Sequence, residues 1–133
     1  MRLIDSTTAP KNRPSPGRAR FACDAGLTAQ LQAAVAEALQ ARPGSQAHSG
    51  LIASGDRFVS SHAESSALQA GLRSAGHEAL AVEMEGAAVA QVCFELGIPF
   101  AVIRTISDNA NDEAAVDFLH FIETVASRYA YEV

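Results

Sequence analysis

The sequence has no tryptophan, only two cysteines, and few charged side chains, which make up 19% of its 133 residues. Its formal net charge is −5, and a mildly acidic chain lacks the clustered Lys and Arg side chains that hold a nucleic-acid backbone. Arg13, Arg18 and Arg20 do lie close together near the start, and we interpret them as a solvated segment rather than a phosphate-binding patch. We therefore expect no nucleic-acid partner.

Long apolar runs are also missing. No run reaches the ~18 residues that a membrane-spanning helix needs, and the start of the chain lacks the apolar region of a signal peptide. Cys23 and Cys93 are far apart and do not have the spacing of a zinc site, and we expect Cys93 to be a buried, reduced thiol. These absences predict a cytoplasmic protein that binds no metal and contacts no membrane. No P-loop, GxGxxG or GxSxG motif is present, so the sequence predicts no cofactor.

The start of the chain differs in composition from the rest. It contains Pro10, Pro14, Pro16 and Gly17. Proline lacks a donor N–H and biases the preceding residue toward extended backbone. We therefore expect residues 1–20 to be an extended, Pro-rich segment and residues 21–133 to form the folded domain.

From residue 24 onward, helical and strand patterns alternate. Leu27, Leu31, Val35 and Leu39 recur at a spacing of four residues and predict an amphipathic helix with Asp24 as its N-cap. Further helices are predicted at 60–76, 85–97 and 112–131, and apolar strands at 51–53, 78–84 and 99–106. This alternation predicts an α/β fold with a parallel or mixed sheet that helices cover on both faces.

In such sheets, ligands bind beyond the carboxyl ends of the strands, which singles out the loops from Ser54 to Phe58 and from Ser107 to Asp112. Asp108 directly follows an apolar strand, and a partly desolvated carboxyl group there could deliver a proton near neutral pH. Ser107 could orient that group through a hydrogen bond. The alternative is that Asp108 forms an Asx-type cap for the next helix.

Glu83 and Glu85 flank Met84 at the point where a strand gives way to a helix. One carboxylate can start the helix, where free N–H groups and the helix dipole stabilise it. The other can point into the crevice and accept hydrogen bonds from vicinal sugar hydroxyls. In the polar loop "SGDRFVSS", Phe58 could stack on a flat heterocycle or fold back onto the core.

Three consecutive motifs, "GLIASGDRFV", "AVEMEGAAVAQVC" and "PFAVIRTISDNAND", resemble the 5'-methylthioadenosine/S-adenosylhomocysteine nucleosidases of the purine nucleoside phosphorylase superfamily. The similarity extends from about Pro16 to Phe121. It implies a partial three-layer α/β/α phosphorylase-like fold, with a mixed sheet flanked by helices. It also implies that residues 21–133 are the carboxyl-terminal portion of a nucleoside phosphorylase/nucleosidase domain.

The resemblance implies a role for each matching residue. Asp108 corresponds to the general acid that protonates N7 of adenine, and Ser107 to the residue that holds its carboxyl group. Glu85 corresponds to the carboxylate that binds the ribose hydroxyls, with Met84 and Glu83 lining the ribose pocket.

The adenine base has two further expected contacts. Phe58 corresponds to the ring that stacks on the base, and Val59 to the residue whose backbone groups bind the edge of the purine. The implied reaction is hydrolysis of the N-glycosidic bond of 5'-methylthioadenosine or S-adenosylhomocysteine with release of adenine.

The family pattern also predicts what this chain lacks. The amino-terminal half of family members carries the first strands of the sheet, a glutamate that activates the attacking water, and the region where phosphorylase relatives bind phosphate. A non-catalytic nucleoside-binding remnant and a phosphate-dependent phosphorylase therefore stay open as alternatives, as does the preferred 5' substituent. The expected partners are the nucleoside and either a second copy, in a homodimer, or a complementing amino-terminal half.

Overall fold

The structure, a computed structural model, describes residues 1–5, 19–110 and 113–122. Strands and helices alternate along most of this length. The strands are β1 (Arg2–Asp5), β2 (Arg20–Ala22), β3 (Leu51–Ser54) and β4 (Ala79–Glu83). The helices are α1 (Ala25–Gln40), α2 (His62–Ser74), α3 (Gly86–Leu96) and α4 (Ala114–Phe121). The α/β class predicted from the sequence is confirmed.

Within the described residues, four strands form one sheet in the order β2-β1-β3-β4. β1 runs parallel to β2 and antiparallel to β3, and β3 runs parallel to β4. The sheet is therefore mixed, as predicted. Its register pairs Ile4 with Phe21 on one side and with Ile52 on the other.

Local sequence signals explain where the helices begin and end. Asp24 is the N-cap of α1 and accepts a hydrogen bond from the Leu27 amide at 2.9 Å. Ser61 caps α2 in the same way, through the Glu64 amide at 3.2 Å. α3 ends at Gly97, whose φ of 67° lies in the left-handed region that glycine adopts most readily.

The first strands and α3 form the hydrophobic core. Ile4, Phe21, Cys23 and Ala90 are buried together, and the rings of Phe21 and Phe94 meet edge to face at 6.0 Å. α3 packs against β1 and β2. Cys23 is the buried thiol, whereas Cys93 is only half-buried, so the burial predicted for Cys93 is wrong.

The strand predicted over residues 99–106 is absent, because no neighbouring strand in the described part of the chain pairs with it. One backbone bond anchors this segment, from the Asp24 amide to the Phe100 carbonyl oxygen at 2.7 Å. Phe100, Ala101 and Val102 pack on the core, so the apolar pattern correctly indicated burial but not secondary structure.

The structure describes the two ends of the chain only in part. Residues Arg2–Asp5 form a strand inside the sheet, and residues 6–18 lie outside the described residues, so the proposed division at residue 20 stays a prediction. The last predicted helix begins as expected, while residues 123–133 lie outside the described residues. No described helix has both the length and the apolar character needed to cross a membrane.

The chain divides into two compact units. The first comprises Met1–Arg57 and Ala79–Ile103, and the second comprises Phe58–Glu78 and Arg104–Val133. The first unit holds the sheet with α1 and α3, and the second holds α2 and α4.

Candidate active site

The turn between β4 and α3 carries the first group of predicted site residues. β4 ends at Glu83 and α3 begins at Gly86. Glu83 Oε2 accepts hydrogen bonds from the backbone amides of Glu85 at 3.1 Å and Gly86 at 2.7 Å. A carboxylate at a helix N-terminus is favoured by the free N–H groups and by the helix dipole. Glu83 is therefore the glutamate that starts the helix.

Glu85 has a different position on the same turn. It is the N-cap residue of α3, yet its side chain makes no capping hydrogen bond. The side chain is exposed, as is that of Met84. The structure thus answers the question that the sequence left open, because one glutamate binds the backbone and the other presents its carboxylate outward.

Ser54, at the end of β3, is a member of this group for which the sequence analysis predicted no role. Its side chain is only 2% exposed, and its Oγ accepts a hydrogen bond from the Ala87 amide at 3.1 Å. The next residue, Gly55, donates its amide to the Glu83 carbonyl oxygen at 3.0 Å. The sequence does show a serine that ends a buried strand just before a polar loop, but it does not show which group bonds that serine.

Gly86 leaves room for this arrangement. A Cβ atom there would lie 2.6 Å from Ile4 Cδ1 and 2.9 and 3.0 Å from the two Glu83 carboxylate oxygens. Because Ile4 is itself buried, it has little freedom to move away. The glycine thus permits the carboxylate to approach the helix amides closely.

Asp108 and Ser107 lie in the second unit, on the turn that precedes α4. The Ser107 hydroxyl donates to Asp108 Oδ2 at 2.7 Å, and the Ala110 amide donates to Asp108 Oδ1 at 2.8 Å. Both side chains are half-buried. The orienting hydrogen bond predicted for Ser107 is present, and Asp108 also forms an Asx turn with Ala110, which precedes α4.

Phe58 and Val59 precede α2 in the second unit. Phe58 is 44% exposed and Val59 is half-buried, so the ring of Phe58 is not folded into the core. Asn111 and Asp112, which belong to the predicted loop after Asp108, lie outside the described residues.

Comparison with known proteins places the chain in a family. Residues 3–133 match the family model described as "Phosphorylase superfamily". This chain belongs to the phosphorylase superfamily. It is 41% identical over 104 residues to the 5'-methylthioadenosine/S-adenosylhomocysteine nucleosidase of Shewanella halifaxensis. That alignment covers 78% of this chain and 42% of the relative, and the resemblance recognised from the three motifs is confirmed.

Solved structures show the same relationship. A nucleosidase of the same name from Neisseria meningitidis, crystallised with methylthio-immucillin-A, superimposes with a TM-score of 0.71 and 33% identity, covering 96% of this chain and 55% of that one. The futalosine hydrolase of Helicobacter pylori also has a TM-score of 0.71, with 32% identity and coverage of 97% and 54%. This superfamily member therefore has a partial phosphorylase-like fold and spans about half the length of the relatives it matches.

The predicted site residues carry side chains that can bind an organic ligand. No three His, Cys, Asp or Glu side chains within residues 1–5, 19–110 and 113–122 come together in a way that could hold a metal ion. The predicted site residues supply carboxylates, a hydroxyl group and an aromatic ring instead. These groups suit hydrogen bonding and stacking to a small polar heterocyclic compound.

Proposed function

We propose that this chain contributes the adenine- and ribose-binding part of an adenosine-type nucleosidase, which hydrolyses the N-glycosidic bond of 5'-methylthioadenosine or S-adenosylhomocysteine. Its similarity to nucleosidases supports this reaction class. The observation that supports it most directly is the half-buried Asp108, whose two carboxylate oxygens are held at 2.7 and 2.8 Å by Ser107 and Ala110. A general acid needs a fixed orientation toward the atom that it protonates.

Proton transfer follows from this geometry. As the bond between the sugar and the base breaks, its electron pair leaves with adenine. Protonation of N7 by Asp108 neutralises that leaving group, and the carboxylate that results is stabilised by the Ala110 N–H and the Ser107 O–H. A hydroxyl group can also accept a hydrogen bond, so Ser107 can stay paired with Asp108 when the acid carries its proton.

The sugar is proposed to bind at the turn between β4 and α3. The exposed Glu85 carboxylate accepts two hydrogen bonds from the vicinal ribose hydroxyls, and Met84 and Glu83 line this position. A carboxylate near the sugar also favours the positive charge that develops on the ring as the bond breaks. Water then attacks the anomeric carbon and loses a proton, which requires an activating group outside these motifs.

The base is proposed to bind Phe58 and Val59. The exposed face of the Phe58 ring can stack on adenine, and the backbone groups of Val59 can bind the edge of the purine. The reaction requires no cofactor, and we expect it to occur in the cytoplasm.

The partner besides the nucleoside is proposed to be a second copy or a complementing amino-terminal half. Exposed apolar side chains on α3, at Val89, Val92 and Leu96, support association because water-exposed apolar area favours burial against another surface. Light scattering on the purified chain should show self-association. A monodisperse monomer with a cooperative thermal transition would contradict this part of the proposal.

A substrate panel tests the reaction. The purified chain is incubated with 5'-methylthioadenosine, S-adenosylhomocysteine and futalosine, with and without phosphate, and the products are separated by chromatography. We expect the chain to bind the first two, and to release adenine from them without phosphate when it is assembled with the partner that supplies the activating group. A requirement for phosphate would favour a phosphorylase, and binding without product would favour the nucleoside-binding remnant. Failure to bind any of the three would refute the proposal.

A further inference from the structure

The first turn of α3 has its amides bound by two side chains from the ends of neighbouring strands. Glu83 Oε2 accepts hydrogen bonds from the amides of Glu85 and Gly86, and Ser54 Oγ accepts one from the amide of Ala87. Ser54 and Glu83 are register partners across the parallel β3–β4 pair. The strand pairing therefore sets both acceptors side by side beneath the start of the helix.

This arrangement changes what the Glu85 side chain can do. An N-cap side chain ordinarily accepts a hydrogen bond from an amide two or three residues further on. In α3, Ser54 occupies the Ala87 amide, and the Ala88 amide bonds the Glu85 carbonyl oxygen at 3.1 Å. The amides that could draw the Glu85 carboxylate back onto the helix are therefore already bound.

We propose that Ser54 and Glu83 are positioning residues that act through Glu85. They fix the backbone of the turn and occupy its amides, so that the Glu85 carboxylate stays directed outward to accept the ribose hydroxyls. This inference rests on the proposed function, in which Glu85 binds ribose. It assigns a role to Ser54, for which the sequence predicted none, and it gives Glu83 a role in holding the backbone of the turn in addition to its proposed place beside the sugar.

The burial of Ser54 supports a positioning role, and Glu83 is half-buried. Ser54 is 2% exposed, and its hydroxyl meets a backbone amide inside the unit, so it has no surface to offer a ligand. The Gly55 amide, bonded to the Glu83 carbonyl oxygen, ties the strand end that carries Ser54 to the strand end that carries Glu83. A shift of either side chain would be transmitted to the backbone of Glu85.

The test compares binding of methylthioadenosine with binding of adenine by calorimetry. All variants are made in the full chain with Asp108→Asn, so that the ribosyl ligand is not consumed. The dissociation constant of adenine divided by that of methylthioadenosine is the ratio that reports the contribution of the sugar. We expect Glu85→Gln to lower this ratio about tenfold. We expect Ser54→Ala and Glu83→Ala, each of which removes an acceptor of the helix amides, to lower it about fivefold while adenine affinity changes less than about twofold.

A double-variant cycle separates positioning from a general structural effect. If Ser54 acts through Glu85, Ser54→Ala should have no further effect on the ratio once Glu85→Gln is present. Ser54→Thr, which keeps the hydroxyl, should restore the ratio. Matched controls are Glu95→Gln, which removes a charge elsewhere on α3, and Ser74→Ala, which removes a helical hydroxyl in α2; both should leave the ratio unchanged.

The possible outcomes are distinct. If Glu85→Gln lowers the ratio but Ser54→Ala and Glu83→Ala do not, the positioning role is wrong and the proposed function stands. If both ligands weaken equally in Ser54→Ala, its role is structural and the inference is overturned. If the parent chain shows no preference for the ribosyl ligand, or Glu85→Gln has no effect, the proposed function fails and the inference with it. Amide resonances of Gly86 and Ala87 test whether each variant is folded, and Glu83→Ala tests the positioning role if Ser54→Ala unfolds.

Discussion

Two turns of this chain hold a carboxylate in different ways. At the β4–α3 turn, Glu83 binds two helix amides while Glu85, two residues later, presents an exposed carboxylate. At the turn before α4, the single carboxylate of Asp108 binds both a hydroxyl and an amide. In the first turn, one residue binds the backbone and a different residue is proposed to bind the ligand. In the second, one residue serves both purposes.

This difference has a consequence for mutagenesis. A change at Glu85 can remove the proposed ligand contact without removing an acceptor of the helix amides. A change at Asp108 removes the proposed acid and also alters a hydrogen-bond acceptor of the backbone, so the choice of substitution decides what is measured. The following predictions test this separation, beginning with the largest expected effect.

Asp108→Asn should produce the largest loss. Asn cannot deliver the proton, and a positioned general acid contributes typically about 10²–10⁴-fold to the rate, so turnover by the active assembly should fall by about that factor. The side-chain oxygen of Asn can still accept the Ala110 amide, so ligand affinity should change little. Initial rates of adenine release and calorimetric titration measure the two quantities.

Asp108→Ala is the matched control, because it removes both the acid and the acceptor for Ala110. It should lose turnover like Asp108→Asn and should additionally lower the melting temperature. Normal turnover in Asp108→Asn would show that another group protonates the base.

Glu85→Gln should weaken ribosyl binding by about 1.5–3 kcal/mol, the range for a hydrogen bond to a charged group. Adenine alone should bind as before, since it lacks the sugar. The melting temperature should also be unchanged, because the Glu85 side chain caps no helix amide. Calorimetry with both ligands and thermal unfolding by circular dichroism test these expectations. Equal loss of affinity for the two ligands would contradict sugar recognition.

Gly86→Ala should test how tightly the first turn is packed. The added methyl group would meet Ile4 Cδ1 at 2.6 Å and the Glu83 carboxylate at 2.9 Å. Overpacking a buried site costs typically about 1–3 kcal/mol, which exceeds the gain in helix propensity of up to about 1 kcal/mol. We therefore expect a net loss of about 1–2 kcal/mol in the free energy of unfolding, measured by thermal or denaturant unfolding.

A glycine in the other unit provides the opposite control. A Cβ added at Gly71, inside α2, would meet nothing within 4 Å. Gly71→Ala should therefore stabilise the chain by about 0.4–1 kcal/mol. Combining Gly86→Ala with Ile4→Val should recover part of the lost stability, because the shorter side chain removes the clashing atom. Destabilisation of similar size at both glycines would show that the packing argument is wrong.

Features that depend on residues close together in the sequence could be predicted from it. The helices α1, α2 and α3 and the strands β3 and β4 were predictable because caps such as Asp24 and Ser61, and terminators such as Gly97, act through residues only a few positions away. The hydrogen bond from Ser107 to Asp108 joins adjacent residues and was predictable for the same reason. The roles proposed for these residues stay predictions.

Features that depend on distant parts of the chain were missed. The apolar run at 99–106 was predicted as a strand, yet no described neighbour pairs with it. The proposed role of Ser54 depends on the strand register that places it beside Glu83, 29 residues later in the sequence. The division between Glu83 and Glu85 depends on the backbone of Glu85 turning into the α region, with φ of −116° and ψ of −30°. None of these follows from local composition.

Ser107→Ala should have the smallest effect, and it isolates the orienting contact of the second turn. The variant removes the 2.7 Å bond to Asp108 Oδ2 but leaves the Ala110 amide bonded to Oδ1. Because one of two partners remains, we expect a loss of about 1 kcal/mol, or about fivefold in turnover, with ligand affinity unchanged. In the Asp108→Asn background, Ser107→Ala should have no further effect, since the proton that the hydroxyl helps to orient is absent. A loss as large as that of Asp108→Asn would instead place Ser107 in direct contact with the reacting atoms, and the two turns would then be more alike than their hydrogen bonds indicate.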